Sequence, residues 1–416
     1  MLKKINRELF IVIFLLSCAL HSFAQRLDSI PHKDYSFSLM DAPSSLWSMQ
    51  QFNQNYLSSY RLFSRHLNDL LPKKKIAVYI NTALTGLFFV PLTHEEGHRS
   101  ILTHKGIGAV SQPFFNSDGA AYVKGVRDEE LKNLRSNDFP SYIRLHTAGL
   151  ESDYMLTRSS ENLMFCGKES YSNLQVEYLI RKLAIIQYYM LGLLEYETEM
   201  KEEANELNRD IVGNDIYGAT RHLHRPDMEF YRYTSFSKLT REEKRFVKRM
   251  GYFSLLNLVS PFIIGKTHFM LSDNRYFNFS LGHTMAPFGS FVDENFMFST
   301  KELYFIGYIR QFLNKETCFW GAGVEMGGYT ICKNLATKMA FNVWQQPQSM
   351  KFDTRQFFWG GAANLNLSYK YWQPVTERIK GISVDAGIML KSKGFYPEEV
   401  SLEKGIAFKL GTTITL

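Results

Sequence analysis

The chain has 416 residues, a formal net charge of +7 and many aromatic side chains, with 33 Phe, 23 Tyr and 5 Trp. This composition excludes a disordered chain, and the length suggests two or three domains. Aromatic residues at this level serve protein cores and also the aromatic girdles of membrane barrels. The lysines and arginines are dispersed, with no basic stripe interleaved with aromatics. We therefore expect no nucleic-acid partner.

Residues 1–24 have the pattern of a secretory signal peptide. A positively charged start precedes the apolar stretch Leu9–Leu16, and small residues before Gln25 form a cleavage site. Lipid attachment at Cys18 is the weaker alternative, because Leu16 is an unusual neighbour for that signal. The pattern predicts that the mature protein works outside the cytoplasm.

A short motif, His-Glu-Glu-Gly-His, begins at residue 94. On an α-helix His94 and His98 lie one turn apart on the same face, so both imidazoles can reach one metal ion. This is the HExxH pattern, and the sequence here resembles the zinc metallopeptidases. The resemblance implies bound Zn²⁺, peptide hydrolysis and a general-base role for Glu95. Glu96 departs from the family pattern, which prefers uncharged residues between the glutamate and the second histidine.

The apolar run Ile76–Leu92 leads directly into the motif and predicts a buried helix that delivers its C-terminal end to a site. Within this run, Pro91 should kink the helix or restart it just before His94.

A hairpin-like segment follows the motif. Its predicted strands are Val110–Phe115 and Ala120–Val123, with a turn at Asn116–Gly119. Zincins commonly carry an extended segment beside the active helix, where a substrate backbone adds as a strand. A plain surface hairpin is an equally good interpretation, since the turn chemistry does not separate the two.

The first candidate for a third zinc ligand is Glu151, on a predicted helix that begins near Pro140. Small and apolar residues flank Glu151 on its helical face, so we expect its side chain to point inward. In the gluzincin branch, which the sequence resembles here, a downstream glutamate on a neighbouring helix completes the site. Asp153, two residues further on, could orient a ligand histidine through its second ring nitrogen.

Asp215 is the alternative third ligand. It lies on a predicted helix face of apolar and small residues such as Gly218, where a carboxylate is costly unless it is paired or binds metal. The order of apolar helix, HEEGH motif, hairpin, Ala148–Gly149 helix and late aspartate also resembles the intramembrane site-2 proteases. Their Gly-Pro signature is absent, and the late aspartate, Asp215, lacks the glycine that follows it in their Asp-Gly signature. Asp153 and His146 are the remaining candidates.

The sequence gives weaker support for a functional role of four other histidines. His104 lies six residues beyond His98 and has rotated off the ligand face of the helix. His146, His222 and His224 could hydrogen-bond a developing oxyanion, although such histidines are more often packed or solvated.

Two further segments, Leu183–Leu194 and Met250–Gly265, are apolar almost all round. Helices of this kind are buried in protein or lie against lipid. Both are short for a membrane span and contain interruptions, so we interpret them as core helices. Between them, Thr240–Glu243 forms a capping box that starts a basic helix.

From about Arg275 the hydrophobic period changes from that of a helix to that of a strand. The predicted strands are Phe277–Leu281, Leu303–Phe312, Cys318–Met326, Thr337–Trp344, Phe357–Tyr371, Ile382–Leu390 and Ile406–Leu416. Several exceed the usual length of five to six residues, and aromatic residues cluster near their ends. The pattern predicts an outer-membrane barrel of about eight strands; a secreted or periplasmic β-domain is the alternative.

Together these patterns predict an α+β protein. Its predicted parts are a signal peptide (1–24), an N-terminal segment with one or two helices (25–75), a helical zincin-like domain (76–250) and an antiparallel barrel (251–416). The function that we expect is zinc-dependent peptide hydrolysis at the outer membrane of a Gram-negative cell. Its partners would be a protein or peptide substrate, outer-membrane lipid and other outer-membrane proteins, and the side of the membrane that carries the helical domain stays open.

Two non-enzymatic functions are alternatives. In the first, the chain is a catalytically silent, metal-binding scaffold subunit of an outer-membrane assembly or secretion complex. In the second, it is a small pore plugged by its helical domain. An eight-stranded barrel filled by side chains would count against a pore.

Overall fold

The computed structural model describes residues 33–42, 48–71, 74–115, 121–197, 202–332, 334–372 and 379–416. The predicted signal peptide and the predicted turn Asn116–Gly119 lie outside these residues. The helices described are α1 (Met49–Leu70), α2 (Lys74–Leu84), α3 (Val90–His104), α4 (Asp128–Asn137), α5 (Phe139–Phe165), α6 (Tyr171–Leu193), α7 (Asp215–His224) and α8 (Arg241–Ser254). The strands are β1 (Asp34–Ala42), β2 (Val110–Gln112), β3 (Tyr122–Lys124), β4 (Phe269–Ser272), β5 (Arg275–Ala286), β6 (Gly289–Ser299), β7 (Tyr304–Leu313), β8 (Cys318–Cys332), β9 (Leu335–Pro347), β10 (Phe357–Trp372), β11 (Gly381–Lys391) and β12 (Gly405–Thr415).

Ten strands form one antiparallel sheet in the order β1-β12-β11-β10-β9-β8-β7-β6-β5-β4. The fold is therefore α+β, but the sheet is not closed into a barrel, and it has ten strands where we predicted about eight. Its first strand, β1, comes from the N-terminal segment and pairs with β12. The prediction of a closed barrel was wrong because the outer edges of β1 and β4 do not pair with each other.

A chain of helix contacts runs between the two edges of the sheet. Helix α1 packs on β1, α2 contacts both α1 and α6, and α6 packs against α8. The 3₁₀ turn Leu255–Leu258, which follows α8, packs against β5. Helices thus occupy the gap, here called the seam, that a closed barrel would bridge with strand pairing.

The long alternating strands were predicted closely, whereas three strands were missed. β10, β11 and β12 start and end within a few residues of the predicted bounds. β6 was missed because polar residues interrupt both of its faces, Asp293 and Asn295 on the inward face and Glu294 on the outward face. β1 and β4 were missed because their pairing partners are not recognisable from local sequence.

The outward face of the sheet is apolar. The upper rim of the sheet is defined here by the strand ends at which β5 is followed by β6, β7 by β8, β9 by β10 and β11 by β12. The lower rim is defined by the opposite ends of these strands. Exposed aromatic residues near the upper rim are Trp320, Phe357 and Trp359, and those near the lower rim are Tyr329, Tyr369, Tyr371 and Trp372. Exposed side chains between them are Val324, Phe341, Val343, Leu365, Val384, Ile388, Phe408 and Leu410.

The helices pack against the opposite face of the sheet. The Tyr154 hydroxyl of α5 donates to Asp293 of β6 at 2.8 Å, and Arg310 of β7 forms an ion pair with the same carboxylate at 2.6 Å. Arg158, one turn further along α5, lies 3.5 Å from it. One hydrophobic core includes residues from both the helices and the strands. A polar cavity of about 1410 Å³ remains between α1, α5 and the lower half of the sheet.

Helices α2 and α3 are continuous, joined by a π-helical turn at Thr85–Phe89. Pro91 lies in the first turn of α3, so the predicted break before His94 takes the form of this wider turn. Among the described residues, the run Lys75–His104 is the one helix long and apolar enough to cross a membrane.

Candidate metal centre

Three side chains converge between the first three turns of α3 and the start of α7. The Nε2 atoms of His94 and His98 lie 3.1 and 3.3 Å from one oxygen of Asp215, Oδ2. The three donor atoms all lie within 4.8 Å of one another, and His98 and Asp215 are buried. The structure thus brings together both histidines of the motif and the alternative third ligand.

The second ring nitrogen of each histidine is held by a hydrogen bond. His94 Nδ1 donates to Asp153 Oδ2 at 2.7 Å, and His98 Nδ1 donates to the carbonyl of Leu145 at 2.6 Å. In the neutral imidazole both bonds place the proton on Nδ1, so Nε2 is the nitrogen that would bind a metal ion. Asp153 therefore lies where a carboxylate that orients a ligand histidine is needed.

Asp153 is itself held in place by a buried arginine. Arg181 on α6 donates to Asp153 Oδ1 at 2.5 Å and to the Thr93 hydroxyl at 2.7 Å. It also pairs with Glu177 on its own helix. The guanidinium thus fixes the carboxylate that orients His94, and it ties α6 to α3.

Two glycines allow the ligands to approach. A Cβ at Gly97 would lie 2.5 Å from the carbonyl oxygen of Ala148, so α3 and α5 could not pack at this distance with a larger residue. A Cβ at Gly149 would overlap Nε2 of both His94 and His98. The space in front of the two nitrogens therefore exists because residue 149 has no side chain.

Asp215 is positioned by the start of α7. Asn214 caps this helix by accepting from the backbone N–H of Tyr217, and the backbone N–H of Asp215 donates to the Tyr188 hydroxyl at 3.3 Å. The ring of Tyr188 stacks on His94, with centroids 5.6 Å apart. A carboxylate in the first turn is also favoured by the helix dipole.

Glu95 lies beside this cluster and is only 7% exposed. Burial raises the pKa of the Glu95 carboxyl to about 7, although the two imidazoles of His94 and His98 oppose the shift. A carboxyl with a pKa near neutrality suits reversible proton transfer. Asp210 is a second buried carboxyl nearby, and burial together with Glu95 raises its pKa well above the ordinary value.

Charges within the cluster are mutually stabilised. Burial alone would raise the pKa of Asp215, but His98 and His94 lower it below its ordinary value. Burial also opposes charge on His94, yet Asp153 and Asp215 outweigh it and raise the pKa of this imidazole. A metal ion binding here would therefore displace protons from the imidazoles.

The donor set fits a zinc ion. Catalytic zinc sites use three protein ligands drawn from imidazole nitrogen, carboxylate oxygen and thiolate, and leave one position for water. Donors about 2.0 Å from a tetrahedral ion stand roughly 3.3 Å apart, close to the 3.1 and 3.3 Å separations from Asp215. The cluster therefore has the ligand count of such a site, and two of its three donor separations match the spacing; the residues alone do not define which metal binds.

Glu151, the preferred third ligand from the sequence, is elsewhere. Both of its oxygens accept hydrogen bonds from Arg144 on the same helix, at 3.0 and 2.6 Å. One of them also accepts from the backbone N–H of Glu398. The carboxylate is fully buried, and its partner is an arginine, so the structure does not bring Glu151 to the two histidines; Asp215, the alternative candidate, lies there.

The three histidines considered for an oxyanion, His146, His222 and His224, are packed in the protein. The Nε2 atom of His222 bonds to the Tyr142 hydroxyl at 3.0 Å, and His224 Nδ1 donates to a backbone carbonyl of its own helix. His146 is fully buried beside Gly218 and has no hydrogen-bond partner in the described part of the chain.

The predicted hairpin is present beside the motif. β2 and β3 pair antiparallel, and both contact α3. Phe114, just beyond β2, stacks on Phe88 of the π turn with ring centroids 5.0 Å apart.

Tyr188, Asp210 and the Leu145 carbonyl were not predicted as parts of the site. Tyr188 lies in an apolar helical run that gives no sign of a polar role, and a backbone carbonyl has no sequence signal. Gly149 could have been found, because a glycine inside a helix is costly unless something needs the space.

Comparisons with known proteins do not assign this chain to a family. No protein-family model matches the chain, and no curated protein matches it. Among solved structures, OccAB3 from Acinetobacter baumannii is similar over 36% of this chain and 46% of its own, with 10% identity and a TM-score of 0.25. The chain thus matches less than half the length of that protein. A likeness at this TM-score defines neither a shared fold nor a shared function.

Proposed function

We propose that this protein is a zinc-dependent peptide hydrolase. The observation that carries the proposal is the convergence of His94, His98 and Asp215 on one point, with Glu95 buried beside them. The hydrogen bonds from Nδ1 of each imidazole support it, because they prepare both Nε2 atoms for metal binding.

The residues of the chain have distinct roles in this mechanism. A bound zinc ion would supply a Lewis acid that polarises the scissile carbonyl and acidifies water. Glu95, buried beside the three ligands, accepts the proton of the attacking water and passes it to the leaving amine. Asp153 keeps His94 in the Nδ1–H tautomer.

We also propose that the sheet lies in an outer membrane. On β10 the exposed residues Trp359 and Tyr369 are ten residues apart, which is about 34 Å of strand, or about 26 Å along the membrane normal at a tilt near 40°. Outer-membrane barrels have an apolar band of about 25 Å between two aromatic girdles. The predicted signal peptide agrees with export.

The test of hydrolysis uses Glu95→Gln with Glu96→Gln as its matched control. Each variant, loaded with zinc, is assayed on fluorescein-labelled casein and on a fluorogenic peptide library, and its zinc content is measured. Glu95→Gln should keep one zinc per chain and lose activity by about 10²-fold or more. Glu96→Gln should keep its activity, because the Glu96 carboxylate pairs with Arg99, three residues further along the same helix, and not with the three candidate ligands.

Equal hydrolysis by wild type and Glu95→Gln would contradict the mechanism. Zinc bound by both proteins with no hydrolysis by either would instead favour the metal-binding scaffold.

A further inference from the structure

The seam of the sheet exposes an apolar helix surface. Helix α2 and the π turn that follows it present Ile76, Tyr79, Ile80, Leu84 and Leu87, each between 37 and 54% exposed. No side chain from position 76 to position 93 is charged. A monomer that worked in water would rarely leave such a continuous apolar surface uncovered.

This surface is matched on the other side of the seam. The segment from α8 to β4 exposes Leu255, Leu258, Val259, Ile264, Phe269, Met270 and Leu271. Because α1, α2, α6 and α8 are in contact one after another from β1 to β5, these residues continue the apolar outer face of the sheet around the molecule.

The length of the seam helix also matches the apolar band. At 1.5 Å per residue the uncharged run from Ile76 to Thr93 is about 26 Å long, close to the band of about 25 Å on an outer-membrane barrel. The run begins next to Lys75, beyond the lower rim. Asn81, five residues into the run, bonds to Tyr60 and Ser64 of α1. These residues flank Arg61, which donates to the carbonyl of Asp34 at the lower end of β1, so the run is level with the sheet from about Asn81 onward. It ends beside His94, which bonds to Asp153 of α5. Arg144, nine residues and about 13 Å away along α5, contacts the carbonyl of Val400 at the upper rim, so the apolar run lies alongside the lower part of the sheet.

We propose that the seam surface of α2 and the π turn faces the acyl chains of the membrane, so that the wall of this protein is closed partly by helix. The proposal rests on the membrane location proposed above, and it does not depend on hydrolysis. Lipid is the occupant that the observations favour, because the surface is uncharged, has the length of the band and is continuous with the outer face of the sheet.

The test uses a fluorophore and quenching lipids. Cys18, Cys166, Cys318 and Cys332 are replaced by Ser, and single cysteines are introduced by Leu84→Cys and Leu87→Cys at the seam, Leu410→Cys on β12 and Asn133→Cys on α4. Each protein is labelled with bimane and reconstituted into phosphatidylcholine vesicles with and without brominated acyl chains. The labels at 84 and 87 should be quenched at least half as strongly as that at 410, and the label at 133 hardly at all.

Each other outcome overturns the proposal in an identifiable way. Quenching at 410 with none at 84 and 87 means that protein covers the seam, and a second copy is then recognised by cross-linking of Leu84→Cys chains to each other. Absence of quenching at all three positions rejects the membrane location itself. Hydrolysis of casein is measured on the same samples, so failure of the seam proposal and failure of the enzymatic proposal are separable.

Discussion

Two buried carboxylates, Glu151 and Asp215, show how a neighbour decides what an acid can do. Glu151 is neutralised by Arg144 two helical turns away, and Asp215 faces two imidazoles. A buried charge needs a partner in either case, so burial alone does not identify a metal ligand. The partner separates the structural acid from the candidate ligand: an arginine contacts Glu151, and two imidazoles contact Asp215.

This difference predicts unequal effects on zinc binding. Asp215→Asn should lower zinc affinity on the order of 100-fold or more, because a neutral amide oxygen replaces a charged ligand. Glu151→Gln should lose stability but keep its zinc affinity, because its carboxylate contacts Arg144 rather than the site. Competition with a chromophoric zinc chelator measures both values. A larger affinity loss in Glu151→Gln would restore Glu151 as the ligand.

The residues of the site differ in how far the sequence alone could identify them. His94, Glu95 and His98 follow from local helix geometry, because residues four apart share a face. Asp215 depends on how α7 docks against α3, which no local pattern contains, so it could be identified only as an alternative to Glu151. The orienting role of Asp153 was predictable as a possibility from its position beside Glu151.

At the scale of elements, helix α5 and strand β6 are joined through one buried acid. Asp293 is fully buried and is contacted by Tyr154 and Arg158 from the helix and by Arg310 from the neighbouring strand. Strand β6 was not predicted because charged residues interrupt both of its faces, Asp293 inward and Glu294 outward. Strand β11 also carries an inward acid, Asp385, but it was predictable because its outward face is apolar from Ile382 to Leu390.

Removal of this acid should destabilise the junction. Asp293→Asn leaves two buried arginines without their counter-charge, which costs about 3–5 kcal/mol of unfolding free energy. Asp353→Asn is the matched control, since that side chain is exposed and should change stability by less than about 0.5 kcal/mol. Chemical denaturation followed by tryptophan fluorescence in detergent gives both values. Similar stability of the two variants would mean that α5 and the sheet do not depend on this contact.

The whole molecule combines a curved outer wall with an inner group of helices that carries the candidate metal centre. The alternation of long strands predicted the wall, but not its open seam, because closure depends on whether the first and last strands meet. The sequence separated the two parts at residue 250, whereas β1 from the N-terminal segment completes one edge of the sheet. Helices and strands share one hydrophobic core.

If the sheet lies in a membrane, a charged residue introduced on its outer face should lower the free energy of unfolding by an amount that depends on its depth in the bilayer. Leu410→Arg, near the middle of β12, should cost about 2–4 kcal/mol of unfolding free energy in vesicles, and Ile406→Arg, near its end, about 0–1 kcal/mol. Both side chains are on the same face of one strand and are about equally exposed, at 45 and 50%. Urea unfolding in phosphatidylcholine vesicles measures the difference. Equal small costs at both positions would indicate a sheet in water.

The π turn between α2 and α3 explains how one continuous helix can satisfy two surroundings. In an uninterrupted α-helix, Ile80, Leu84, Leu87, His94 and His98 would fall on a single stripe, at spacings of three, four or seven residues. The first three are exposed, whereas both histidines face the interior. A π turn adds about one residue to the helix, and each residue turns the chain by about 100°, so the two halves are out of phase by roughly a quarter turn. The angular setting of the metal ligands is thereby independent of the setting of the outward apolar face.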